Sequence, residues 1–531
     1  MVDEPRSAPE LAFLAMDRRF ALAAGAPLPA RTRGAVLFAD VAGFTPTSER
    51  LVATLGPSRG AEALTQILDA VYTALIAEVH ARRGSVINFA GDAITCLFTD
   101  DDGRRALACG LAMHPALAAI HKREPLRGWR FALDLKVAVS VGELQRLVGG
   151  DPALQSLDLL AGPPIHAAAA LERLLRPGET ACSPALAAAL DLVLRQPQGP
   201  GDDAPAIVLR LRTPVPLDPW PPTPDLDPAL VRPWLLRHVR QHMSLGAGSF
   251  LGELRQCTVV FVRLPAPADA APEADFAAAV APWIARAQAL IDHHGGVLAQ
   301  VVLGDKGGYL YAVFGAPVAH EDDAARAVAA AWALARGEPG RSAPAIGISQ
   351  GRTYAGAYGS PMRRTYGLLG VEVNTAARLM SEAPAGTILL TERVAAEAPD
   401  FRSAAFATLA LRGLARPLPI LRVVGRAARR RQLPRRALVV GRAREQALLA
   451  DQLADLARGE SGVVVIEGEP GIGKSRLLAD LVDHAEAAGV TTIVGFAEAL
   501  EATTPYHAWR APLSELLAVG PRGEPSPGAI G

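Results

Sequence analysis

The chain has little of what a secreted, membrane-spanning or nucleic-acid-binding protein needs. Only four cysteines occur in 531 residues, Cys96, Cys109, Cys182 and Cys257, and none forms a Cys-x-x-Cys pair. A chain this long needs no disulfides, so they read as core thiols of a reducing compartment. Net charge is absent too. The 54 basic residues balance 54 acidic ones, which gives no argument for nucleic acid or an anionic membrane as partner. No apolar run reaches the roughly 18 residues of a membrane span. Residues 1–30 lack the basic head and continuous apolar core of a signal peptide. The expectation is a soluble, cytoplasmic protein. Half of the residues are hydrophobic, enough for large cores, and the length suits about three or four domains of ~150 residues.

What is present begins at Ala35-Val36-Leu37-Phe38-Ala39-Asp40-Val41-Ala42-Gly43-Phe44-Thr45. The unbroken apolar run Ala35–Ala39 reads as a buried strand with an aspartate at its end. Gly43 allows a close turn, and Thr45 and Ser48 offer caps for a following helix. A carboxylate beside free backbone N–H groups suits a metal and a polyphosphate; on its own such an Asp is more often a cap. Leu64, Ile67, Leu68, Val71, Leu75, Ile76 and Val79 then follow the helical period, and His80–Gly84 supplies basic residues and a glycine stop. Ser85–Ala90 and Ala93–Phe98 flank Gly91-Asp92 and read as a hairpin with Asp92 at its tip. A helix around Gly103–Ile120, a strand Leu133–Val141 and helical segments over 162–195 complete a first domain, 31–195. Residues 1–30 form an extension with one short helix around Leu11–Ala24.

Residues 196–250, dense in Pro and Asp over their first part, read as a linker. The pattern then starts again over 251–425. Cys257–Val262 resembles the opening strand, Pro282–His294 the first helix, Gln300–Leu303 with Tyr309–Phe314 the hairpin, and Ala345–Gly351 the stretch ending at Gly142. The offset is far too long for a solenoid repeat, so two copies of one α/β domain explain it. Their differences are complementary. Asp40 and Asp92 of the first copy align with Arg263 and Gly308 of the second. Asn374 and Arg378, four apart on one helix face, align with His166 and Ala170 of the first. A face-to-face pseudo-dimer would build two clefts, one collecting Asp40, Asp92, Asn374 and Arg378, the other collecting none of them.

The strand ending in Asp before Gly-Phe-Thr, the Gly-Asp hairpin and Asn374-Thr375-Ala376-Ala377-Arg378 make residues 31–425 resemble a tandem pair of class III nucleotidyl cyclase domains. With the segment that follows, the layout resembles the soluble adenylyl cyclases. The resemblance implies an α/β (α+β) fold of two ferredoxin-like domains in a pseudo-dimer, and adenylyl cyclase activity on ATP in the cleft between them. Two Mg²⁺ (or Mn²⁺) ions would be held by Asp40, Asp92 and the Val41 backbone. The amides near Gly43, Phe44 and Thr45 would cradle phosphates, Asn374 orient the ribose, and Arg378 stabilise charge at the α-phosphate. Lys136 aligns with a phosphate-contacting lysine; a solvated surface lysine is the alternative. Lys306 matches the adenine-reading lysine, a donor that suits N1 of adenine. The second base reader, at Gly367-Leu368, is reduced to a glycine, so the exocyclic amine would need a backbone carbonyl or water. In the other cleft, the two positions that serve an anion in bicarbonate-responsive members read Asn88 and Ala169, and that regulation is not expected here.

After a basic linker at 426–436 comes a different segment, 437–531. Val463–Glu467 reads as a strand running into Gly468-Glu469-Pro470-Gly471-Ile472-Gly473-Lys474-Ser475 and a helix Arg476–Ala487, a full P-loop able to take a second nucleotide. Gly468, Gly471 and Gly473 would hold phosphates, Lys474 the β/γ oxygens and Ser475 a Mg²⁺. The segment looks like the start of a P-loop α/β NTPase of the AAA/STAND kind, cut short. Two other readings stand beside the cyclase: a nucleotide-binding signalling module of negligible turnover, and an ATPase-coupled regulator with the cyclase pair as sensor.

Overall fold

A computed structural model of the chain describes residues 9–91, 93–122, 133–195, 205–244, 252–264, 273–304, 307–336, 342–409, 417–426, 441–468, 472–495, 509 and 512–513. The chain divides into two compact units, Met1–Gly425 and Arg426–Gly531.

The larger unit holds two eight-stranded sheets. One contains β1 (Arg31–Ala42), β2 (Ser85–Ala90), β3 (Ala93–Thr99), β4 (Asp134–Gly149), β5 (Leu157–Ala161), β6 (Glu179–Cys182), β7 (Leu192–Leu194) and β8 (Ala206–Leu211). The other contains β9 (Glu253–Arg263), β10 (Val297–Gly304), β11 (Gly307–Phe314), β12 (Ile346–Gly359), β13 (Arg364–Leu369), β14 (Ile388–Thr391), β15 (Phe401–Leu409) and β16 (Leu418–Arg426). Strand order is β2-β3-β1-β4-β6-β8-β7 with β5 on β4, and β10-β11-β9-β12-β14-β16-β15 with β13 on β12. The two orders correspond strand for strand. The duplication read from the sequence is therefore a duplication of fold, two ferredoxin-like α/β domains.

Four helices of each domain follow the same correspondence. Domain 1 carries α1 (Met16–Ala23), α2 (Phe44–Leu55), α3 (Pro57–His80), α4 (Arg104–Ala118), α5 (Pro163–Glu172) and α6 (Pro184–Ala189). The connection carries α7 (Pro228–Val231) and α8 (Arg237–Ser244), and domain 2 carries α9 (Glu273–His293), α10 (Asp323–Ala335), α11 (Val371–Glu382) and α12 (Glu392–Glu397). Helix α3 starts with Pro57 in its first turn, where the missing N–H costs nothing. Leu64, Ile67, Leu68, Val71, Leu75, Ile76 and Val79 are all buried, each contributing about 1.5–3 kcal/mol on removal from water. The left-handed residue after this helix is Arg83, with φ 57°, not Gly84. Gly84 serves close packing instead, since a Cβ there would stand 2.6 Å from the Phe98 ring.

The two domains grip each other reciprocally. Helix α3 packs on β9 and β12, while its counterpart α9 packs on β4, the pattern of an isologous dimer made by one chain. Thr65 donates to the Tyr354 hydroxyl at 3.2 Å. The Asp151 N–H donates to Gln288 Oε1 at 2.7 Å, and Gln288 Nε2 donates to the Gln155 carbonyl at 3.0 Å. The buried Arg363 of domain 2 donates to the carbonyls of Val86, Ile87 and Phe13 at 2.9, 3.0 and 3.0 Å.

Several expectations need correction. Residues 162–195 are not all helical; β6 and β7 lie among them. The first domain does not end at 195, because β8 pairs with both β6 and β7; Pro-rich composition hid a short strand. The strand expected at Leu133–Val141 continues to Gly149, where it pairs with β5. The N-terminal extension is a 3-10 turn, Pro9–Phe13, and α1, with Leu11, Leu14 and Met16 buried. In the smaller unit, α13 (Ala443–Ala457) and α14 (Lys474–Ala487) pack together. Residues 463–467 do not form the expected strand; Val463 and Val465 are 91% and 73% exposed. Among the described residues of that unit no other strand exists to share a ladder with them, and an extended segment without a partner gains no strand pairing.

Candidate active site

Domain 1 supplies one wall. Register fixes its geometry: Asp40, near the end of β1, lies opposite Ala93 on β3 and Lys136 on β4. Ala39 and Val41 are buried on either side of it, and Asp40 itself is half-buried. Gly43 follows with φ +89°, and its carbonyl accepts from the Thr47 hydroxyl at 2.7 Å. Phe44 and Thr45 open α2 through their backbone; their side chains, and Asp92 entirely, lie outside the described residues. The residue before Asp92 is well held. The Tyr72 hydroxyl of α3 donates to the Gly91 carbonyl at 3.0 Å. Tyr72 also meets Phe89 and the Tyr358 ring of domain 2, with centroids 5.3 and 5.9 Å away.

Domain 2 supplies the opposite wall. Asn374 and Arg378 are one turn apart on α11, as the spacing requires. A cavity of about 120 Å³ is lined by Ala90 and Gly91 of domain 1 and by Gln300, Tyr309, Tyr311 and Asn374 of domain 2. Asn374 and the hairpin residue next to Asp92 therefore share one cavity. Arg378 is not part of its lining. Its side chain is 61% exposed and pairs with Glu382 at 3.2 Å. Lys136 is likewise engaged locally, donating to Glu172 at 3.0 Å. Gly367 lies on β13 opposite Gly356, and Leu368 beside it is 1% exposed. Lys306 lies outside the described residues. Tyr72, Gln300 and Tyr311 had no sequence signal of their own: each is a common core residue type whose role depends on what folds against it.

The pseudo-equivalent positions differ, as the sequence comparison expects. Tyr309 opposes Arg263 on β9 as Ala93 opposes Asp40 on β1. Arg263 donates to the Met380 and Ser381 carbonyls at 3.2 Å each, which satisfies the end of α11. His166 and Ala170 are exposed.

A second cavity between the domains, about 110 Å³, is lined by Leu14, Ala15 and Arg18 of the N-terminal extension, Asn88, Trp234 of the connection, and Arg363. Arg146 joins Asp17 and Asp158 in a buried network, with Asp158 also 3.1 Å from Arg18. Burial opposes ionisation of Asp158, yet Arg146 and Arg18 hold its pKa below the usual carboxylate range. Burial lowers the pKa of Arg363 to about 10.

In the smaller unit Gly473 has φ +99° and α14 starts at Lys474. Lys474 donates to the Gly468 carbonyl at 2.8 Å, and Ser475 is exposed at the helix start. Gly471 lies outside the described residues.

Among the described residues no group of three or more His, Cys, Asp or Glu side chains forms a metal cluster, and no helix is long and apolar enough to cross a membrane.

Residues 340–414 match the family model "Adenylate and Guanylate cyclase catalytic domain", a stretch that contains Gly367, Asn374 and Arg378. Residues 438–526 match "AAA ATPase domain", a stretch that contains the P-loop. The matched stretches identify a cyclase-type catalytic domain over residues 340–414 and an AAA-type ATPase segment over 438–526. Among known proteins the chain resembles "Adenylate cyclase type 10" of Rattus norvegicus, 23% identical over 500 residues, covering 84% of this chain and 30% of that protein. The Homo sapiens protein of the same name is 23% identical over 497 residues, with the same coverage. The chain thus spans about 30% of the length of the curated relatives it matches. Similar solved structures include the adenylyl cyclase CyaB from P. aeruginosa, 23% identical, covering 34% of this chain and 97% of that one, with a TM-score of 0.30. A class III adenylyl cyclase-like ATP-binding protein from Pseudomonas aeruginosa is 10% identical, covering 69% of this chain and 85% of that one, with a TM-score of 0.45.

Proposed function

We propose that the chain is an adenylyl cyclase that converts ATP to 3′,5′-cyclic AMP and pyrophosphate in the cleft between its two domains. One observation carries the reading. A single cavity joins Gly91, the neighbour of Asp92, to Asn374 of the other domain, while the equivalent positions of the second cleft hold Arg263, His166 and Ala170.

The donor set at Asp40 fits a hard divalent cation. It is a half-buried carboxylate at a strand end, with the Val41 backbone next in sequence and Ala93, the residue after Asp92, opposite it on β3, and Mg²⁺ prefers one or two carboxylates plus substrate oxygens. Two bound ions, Mg²⁺ or Mn²⁺, would supply Lewis acidity toward the ribose 3′-hydroxyl and the triphosphate. The amides from Gly43 to Thr45, at the start of α2, suit phosphate oxygens. Asn374 orients the ribose through its amide. Arg378, once released from its ion pair with Glu382, would reach the α-phosphate, a contribution of about 3–4 kcal/mol for one such donor. Lys136 and Leu368 complete the substrate set, and Lys306 tilts base choice toward ATP because an ammonium only donates.

The exposed pairing of Arg378 with Glu382 favours the second reading, a nucleotide-binding module of low turnover. Both readings place a possible second nucleotide at Lys474 and Ser475, and the unpaired thiols suit a cytoplasmic setting. The test is incubation of the chain with ATP or GTP plus Mg²⁺ or Mn²⁺, with products identified by mass. Cyclic AMP and pyrophosphate are expected; bound but unchanged nucleotide would select the second reading.

A further inference from the structure

The notable feature of position 367 is what fills the space above it. A Cβ on Gly367 would stand 2.9 Å from the Tyr311 hydroxyl and 3.3 Å from the Tyr358 ring. The side chain that the resemblance expects at 367 is not merely missing; its place is taken by a tyrosine from β11. Tyr311 is 6% exposed and its hydroxyl is hydrogen-bonded to the Leu368 backbone. A phenol has one donor and two acceptor sites, so one backbone partner leaves capacity for another. Phe261 fixes the ring by stacking on it, with centroids 5.1 Å apart and planes at 12°.

Directly across the hairpin lies Gln300, the register partner of Tyr311 on β10. Cross-strand partners project to the same face, and both residues line the cavity that contains Asn374 and Gly91. The Nε2 of Gln300 is buried and has no hydrogen-bond partner among the described residues. Buried amide donors are rarely left unsatisfied, because an orphan loses its hydration with nothing in return. Gln300 lines the cavity that already holds the proposed ribose-orienting residue, and also the second one beside Arg363. A nucleobase would supply what its amide lacks.

We propose that Gln300 and Tyr311 contact the Watson–Crick edge of the nucleobase, a specificity site that rests on the cyclase reading and deepens it. The amide of Gln300 donates to N1 of adenine while its oxygen accepts from N6. With guanine the roles reverse by rotation of the amide: the oxygen accepts from N1–H and the nitrogen donates to O6. The Tyr311 hydroxyl donates or accepts equally well. Both groups therefore hold either purine. Adenine N1 has a single lone pair, so Gln300 takes the contact that the resemblance gives to Lys306, and the Lys306→Ala variant separates the two assignments. The same geometry revises what a substitution at 367 does. An Asp or Thr there would displace Tyr311 rather than add an acceptor beside it.

The experiment measures kcat/KM of the full chain for ATP and GTP, and Kd for α,β-methylene ATP and GTP, in wild type, Gln300→Glu, Tyr311→Phe and Lys306→Ala. A carboxylate at 300 only accepts, so it faces N1 of adenine badly and N1–H of guanine well. Gln300→Glu should shift the ATP/GTP ratio toward GTP by about 5- to 150-fold. Tyr311→Phe, which keeps the ring and the packing, should weaken both nucleotides by about 5-fold or more. Turnover with an ATP/GTP ratio unmoved by Gln300→Glu and rates unmoved by Tyr311→Phe overturns the proposal and leaves the cyclase reading standing. The same holds if only Lys306→Ala moves the ratio. Absence of cyclic product from every protein overturns the cyclase reading, and the Kd ratios then decide the base site. If Gln300→Glu fails to fold by circular dichroism, Tyr311→Phe and the wild-type Kd values carry the decision; failure of wild type to bind either analogue overturns both.

Discussion

The Tyr72 hydroxyl donates to the Gly91 carbonyl across 3.0 Å, tying the central helix α3 to the turn that leads into Asp92. The same ring touches Tyr358 of the second domain. The hairpin carrying a proposed metal ligand is thereby connected to the partner domain through one side chain.

Tyr72→Phe keeps the ring and deletes the hydroxyl. The expected loss is about 1 kcal/mol of positioning, read as a roughly 5-fold higher Mg²⁺ concentration for half-maximal rate with the fold intact. An unchanged Mg²⁺ dependence would mean that the hydroxyl is structural only.

Asp40→Ala or Asp92→Ala should abolish cyclase activity without unfolding the chain, because each removes a proposed metal ligand. His166→Ala, in the second cleft, should leave the rate within about 2-fold, since an exposed side chain away from the site contributes little. Turnover in either aspartate variant at the wild-type rate would sink the metal assignment.

Arg378→Ala should lower kcat by roughly 10²–10³ with a smaller change in KM, the behaviour of a group acting mainly on the transition state. A raised KM with kcat preserved would make Arg378 a ground-state contact. Glu382→Gln, which loosens its ion pair, should not lower kcat.

Stability should fall as pH drops from 7.5 to 4.5. Burial, with Arg19 and Arg363 nearby, lowers the pKa of His80 to about 3, well under the ordinary histidine value. The stability this depressed pKa represents is present above about 6.5 and is lost progressively as pH falls toward 3. Asp158, also depressed, acts in the same direction below the carboxylate range. Asp69 acts the other way, since burial raises its pKa to about 6. His80→Gln should flatten the decline in Tm between pH 6.5 and 4.5; an unchanged slope would show that His80 is not its source.

Truncation near residue 430 should preserve cyclase activity. All proposed cyclase residues lie in the unit Met1–Gly425. A folded but inactive truncation product would mean that the P-loop segment completes or gates the cleft.

Local patterns made the duplication readable. The apolar run before Asp40, the period of α3 and the two hairpins each announce themselves over a few residues, and their repetition gave two domains and one asymmetric pair of clefts. What stayed hidden depends on distant partners. β8 is a strand because β6 and β7 pair with it, in a stretch whose prolines suggest a linker. The N-terminal extension is ordered because Leu11 and Leu14 bury against Val231 and Leu235. Conversely, Val463–Glu467 has strand composition but no strand beside it among the described residues. Gln300 and Tyr311 matter only because β10, β11 and α11 converge on one cavity.

The most direct test of the account is product identification by mass from full-length chain, Asp40→Ala and His166→Ala, each with ATP and Mg²⁺ or Mn²⁺. The account requires cyclic AMP and pyrophosphate in equal amounts from wild type and His166→Ala, and neither from Asp40→Ala. No cyclic product from wild type, or equal loss in both variants, would contradict the assignment of chemistry to a single cleft.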